Sequence, residues 1–132
     1  MNAQTVLLLL PLIAACTAKE VPPAVLSCAH PEQKCSMKVN GHLLQIRFSE
    51  TPKPLRPFNL EIQMEAESIE ASFQMQGMEM GFNRYMLTPE GDKWRAGIIL
   101  PACIQARSDW ILRLNVKHWG SIHRYEVPFK SG

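Results

Sequence analysis

No block of Lys or Arg occurs anywhere in the sequence, and 14 basic against 12 acidic side chains leave a formal charge of only +2. That balance gives no electrostatic footprint for nucleic acid. GxSxG, HExxH and glycine-rich phosphate loops are all missing, which removes the common hydrolase and nucleotide-binding signatures. Aspartate is scarce: Asp92 belongs to a Pro-Glu-Gly-Asp turn and Asp109 is the other one. The four cysteines contain no CxxC pair, so neither a thioredoxin-type redox centre nor a zinc ribbon is indicated. No apolar run approaches the roughly 20 residues that a membrane-spanning helix requires. No window past the N-terminal segment supports a helix of useful length. An enzyme is not expected.

What the chain does have begins at its N-terminus. Val6 to Ala15 is apolar, interrupted only by Pro11, and no charged side chain precedes Lys19. This fits the hydrophobic region of a signal peptide ending in the small residues Ala14 and Ala15. Leu12-Ile13-Ala14-Ala15-Cys16 resembles the lipobox of bacterial lipoproteins. The resemblance implies cleavage after Ala15 and lipidation of Cys16. Residues 1–15 are thus expected to be a signal peptide and 16–27 a lipidated Cys with a tether. Residues 28–132 are expected to be the folded domain. Acyl chains on Cys16 give the two membrane signals needed for stable anchoring, which places the domain in a bacterial envelope, facing the periplasm. Thr17 is not the Asp that retains such proteins at the inner membrane, and this favours the outer membrane.

An exported location permits disulfides, and with Cys16 lipidated an odd number, Cys28, Cys35 and Cys103, remains. Three pairings are possible. The short loop around Pro31 favours Cys28–Cys35, with Cys103 left as a thiol.

The body of the chain alternates. Asn40-Gly41 is a hairpin signal, preceded by Met37 and Val39 and followed by Leu44, Ile46 and Phe48 on one face. Ser49 to Pro57 holds three prolines and reads as a loop. Phe58, Leu60, Ile62 and Met64 then alternate with polar residues, as do Ile69, Ala71, Phe73 and Met75. Arg84 to Leu87 reads as a short strand and residues 89–92 as a turn. Three more inward sets follow: Trp94, Ala96, Ile98 and Leu100; Trp110, Leu112, Leu114 and Val116; His123, Tyr125, Val127 and Phe129. Seven to eight short antiparallel strands predict an all-β, immunoglobulin-like sandwich; a closed barrel is the alternative.

The unusual segment runs from Phe73 to Asn83 and contains Met75, Met78 and Met80. Gly77 and Gly81 break the strand and predict a loop or bulged edge. Thioethers are soft ligands suited to Cu(I), although methionine also fills irregular core space and can line a partner surface. Cys103, His118 and His123 are candidates to complete a metal site, and His42 follows the Asn-Gly turn. The segment with its following strands resembles the FixH-like and YtkA-like envelope domains, over residues 41–129. That resemblance implies a role in copper handling. Two readings follow: an envelope-anchored, non-enzymatic lipoprotein that binds or passes Cu(I), or an assembly module docking an envelope protein through a strand edge or the Met loop.

Overall fold

The computed structural model describes residues 22–78, 83–102 and 107–132. The signal peptide 1–15, Cys16, Met80 and Cys103 lie outside the described residues. Ten strands form: β1 Ala24–Val25, β2 Cys35–Val39, β3 His42–Phe48, β4 Phe58–Gln63 and β5 Ser68–Met75, then β6 Arg84–Met86, β7 Thr88–Glu90, β8 Lys93–Ile98, β9 Asp109–His118 and β10 Ser121–Lys130. One 3-10 turn, Pro31–Gln33, precedes β2, and no α-helix occurs among the described residues. The strands build two five-stranded sheets, ordered β1-β10-β9-β5-β6 and β2-β3-β4-β8-β7. Without the added β1 and β2, the orders β10-β9-β5-β6 and β3-β4-β8-β7 are those of an immunoglobulin-like sandwich.

The alternation of the sequence becomes the core. Leu44, Ile46, Leu60, Ile62, Ile69, Ala71, Leu112, Leu114, Val116 and Val127 are sealed from solvent, and Phe48, Phe58, Phe73 and Phe129 meet edge-on or tilted between the sheets. Burial of each large aliphatic side chain stabilises by about 1.5–3 kcal/mol before chain entropy is counted. The intervening polar residues face water on both outer surfaces. Glu61 bridges Lys93 at 3.0 Å and Arg95 at 2.9 Å across one sheet, and Arg113 meets Glu126 at 3.3 Å across the other. Lys93, followed by Arg95, holds the Glu61 carboxyl below its ordinary range against the opposing effect of burial.

Local chemistry fixes the turns and edges. Asn40 and Gly41 take φ of 49° and 78°, and Trp119 and Gly120 take 31° and 88°, the paired positive values that a two-residue hairpin needs. Pro89 and Glu90, read as part of a turn, instead lie in β7. That strand is an edge, where a missing N–H costs no ladder bond. Pro128 is tolerated for the same reason, because β1 pairs with β10 only at Tyr125 and Glu126. β1 falls inside the segment read as tether: Ala24 and Val25 pair in parallel with β10, and Leu26 is buried. Cys28 and Cys35 form a disulfide, with Cα atoms 5.9 Å apart, that fastens this lead-in to the start of β2.

Candidate functional site

β5 ends in a tight turn. The Met78 N–H donates to the Met75 carbonyl at 3.1 Å, and Gly77 supplies the φ of 76° between them. Such a turn demands a residue free to adopt positive φ, which is glycine's property. Met75 lies opposite Trp110 of β9 and is fully buried, so its thioether fills core space. Met78 is partly buried against the same core.

Arg107 clamps this turn. Its guanidinium donates to the Gln76 carbonyl at 2.8 Å and to both carboxylate oxygens of Asp109, the first residue of β9. The Gln76 N–H in turn donates to the Asp109 carbonyl at 3.4 Å. Arg107 holds the Asp109 carboxyl below its ordinary range. The segment that contains Cys103 therefore rejoins the described chain at a residue bonded to the methionine turn.

His118 and His123 are elsewhere. Ser68 pairs with Lys117 and Met75 with Trp110. Seven residue steps at about 3.4 Å thus put roughly 24 Å between His118 and the methionine turn. The six metal candidates divide into a sulfur end, with Met75 and Met78 and the attachment points of the segments carrying Met80 and Cys103, and an imidazole end.

At the imidazole end three strands each finish their inward-facing row with a histidine. His42 lies two residues before Leu44 on β3, His118 two after Val116 on β9, and His123 two before Tyr125 on β10. The His118 ring stacks on His42 with centres 5.0 Å apart and meets His123 edge-on at 5.2 Å. Trp119 stacks beyond it at 6.1 Å.

His118 is 7% exposed, and neither of its ring nitrogens has a hydrogen-bond partner among the described residues. Burial holds its pKa below the ordinary histidine value, and His123 and His42 push in the same direction, while Glu65 and Glu67 oppose them. The amide nitrogen of Asn40 lies 3.4 Å from His123 Nδ1. Burial raises the pKa of the neighbouring Tyr125 hydroxyl, with Asn40 acting the other way.

An open cleft of about 750 Å³ runs beside His42 and is lined by Met64, Glu65, Asp92, Trp94 and Trp119. Among the described residues, no group of three or more His, Cys, Asp or Glu side chains is already set to hold a metal ion. No helix among them is long and apolar enough to cross a membrane. The sequence signal for the imidazole trio is parity: each histidine continues the inward row of its own strand. Sequence reasoning noted His42 but did not place it in the metal set. No family model, curated protein or solved structure matches this chain.

Proposed function

We propose that this chain is a non-enzymatic, lipid-anchored envelope domain that binds or passes Cu(I) at its sulfur end. The observation that carries the reading is the clamped turn after β5. Met75 anchors it in the core, and Arg107 ties it to the start of β9. Met78, Met80 and Cys103 are the ligands, two thioethers and a thiolate that match the softness of Cu(I). Met75 is the post that holds the turn, because ligation would require it to leave the core. Passage to a partner proceeds by ligand exchange: a tighter thiolate or imidazole set displaces the weakly held thioethers. The anchor on Cys16 keeps the domain at the membrane, where a copper-delivery partner would meet it.

The test is an anaerobic Cu(I) titration of the full chain in detergent against a chromogenic chelator. About one ion per chain is expected, with binding weakened at least tenfold in a Met78→Leu/Met80→Leu variant. Absence of binding, or binding unchanged in the variant, overturns the reading. A second reading, an assembly module docking an envelope protein, is favoured by exposed Leu55, Met86 and Ile99. These belong to one flank, where the Tyr85 hydroxyl donates to the Ile99 carbonyl at 3.1 Å and the Leu55 N–H donates to the Leu100 carbonyl at 2.9 Å. A chain that binds no Cu(I) but captures an envelope protein through that flank supports the second reading.

A further inference from the structure

We propose that His42, His118 and His123 form a separate, nitrogen-only site for a borderline divalent transition ion such as Zn(II). The site lies at the end of the sandwich opposite the methionine turn and does not depend on the Cu(I) reading.

Two observations converge on it. The first is the unsatisfied state of His118. A neutral imidazole offers one donor and one acceptor, and both nitrogens of this one are buried without a partner among the described residues. Buried polar atoms are nearly always paired, and an orphan calls for an ion or a water. The second is spacing. Three imidazoles that hold one ion at about 2.0 Å stand with ring centres roughly 5 Å apart, and His118 lies 5.0 Å from His42 and 5.2 Å from His123.

The surroundings fit a cation. Glu65 and Glu67 act on His118 as negative charges and would offset the charge of a bound ion. Glu67 is itself engaged by Lys117 at 3.8 Å. His118 is the fixed member, held in the core row of β9. His42 stacks on His118 with ring planes 17° apart, so sharing an ion requires its ring to turn, which its exposed position permits at little steric cost. The cleft beside His42 gives a hydrated ion access. Three protein ligands would leave one tetrahedral position open to water or a small anion.

The experiment titrates the full chain in detergent with Zn2+ against a chromogenic chelator, beside three variants: His42→Ala, His123→Gln and Met78→Leu/Met80→Leu. His42 is a surface side chain, so its replacement leaves the fold intact. One Zn2+ per chain is expected, weakened at least tenfold by His42→Ala and by His123→Gln and unchanged in the methionine variant. The proposal is overturned if no stoichiometric Zn2+ binds, or if His42→Ala binds as tightly as the parent. It is equally overturned if Zn2+ is lost only in the methionine variant. Failure of Cu(I) binding leaves the Zn2+ result standing, so the two readings fail separately.

Discussion

Met75→Ala separates a core role for this methionine from a ligand role. The side chain is 0% exposed, at the end of the inward row of β5 and opposite the buried Trp110. Truncation removes the thioether arm and leaves a cavity that β-sheet backbone cannot collapse to fill. Met→Ala changes in such positions cost about 2–5 kcal/mol, and about 3 kcal/mol is expected here. With a urea slope near 1.5 kcal/mol/M, the midpoint falls by roughly 2 M. Met75→Leu keeps the apolar volume and is expected to cost less than about 1.5 kcal/mol. Equilibrium urea unfolding of the two variants, followed by tryptophan fluorescence, reads both numbers. The same preparations are titrated with Cu(I). If Met75 is a post and not a ligand, Met75→Leu keeps its copper. A midpoint unchanged by Met75→Ala, or copper lost in Met75→Leu at unchanged stability, would refute the core assignment.

Removing the Cys28–Cys35 bridge with paired Ser substitutions should cost about 2.5 kcal/mol, from the loop-closure entropy of a separation of 7 residues; thermal unfolding with and without reductant measures it. His118 has a pKa lowered by burial and by its histidine neighbours, so below the unfolded value of about 6.5 the unfolded chain binds the extra proton. Its stabilising contribution is therefore complete above that pH and is lost as pH falls toward the folded value. Urea midpoints taken from pH 7.5 to 5.5 should decline in the parent and decline less in His118→Phe. Cys16→Ser should move the protein from the membrane fraction to the soluble periplasmic fraction on fractionation. An unchanged distribution would remove the lipid anchor.

The sandwich was legible because its strands are half-buried, and period-two alternation from Phe58 to Met75 and from Trp110 to Val116 states which side chains face inward. Short edge elements were harder. β1 has two residues, and its pairing with Tyr125 and Glu126 depends on backbone bonds that leave no side-chain pattern. β7 carries Pro89, a turn residue in most settings, and only its place at a sheet edge makes it a strand.

The candidate site was legible in part. The Met-Gln-Gly-Met turn was marked by Gly77, and the burial of Met75 was implied by the alternation that put it in one row with Ile69, Ala71 and Phe73. Which end of the sandwich each candidate occupies depends on register. The pairing of Ser68 with Lys117 is a long-range fact, and it separates the histidines from the methionines. The imidazole trio was within reach of a parity argument, since His42, His118 and His123 each sit two residues from a core position of their own strand.

Copper K-edge X-ray absorption on the Cu(I)-loaded full chain tests the sulfur-end reading most directly, because sulfur and nitrogen scatterers are distinguishable around the ion. A first shell dominated by sulfur, and lost in Met78→Leu/Met80→Leu, is the expected result. A shell of nitrogen alone, sensitive to His42→Ala instead, would contradict copper binding at the methionine turn and place the ion among the histidines.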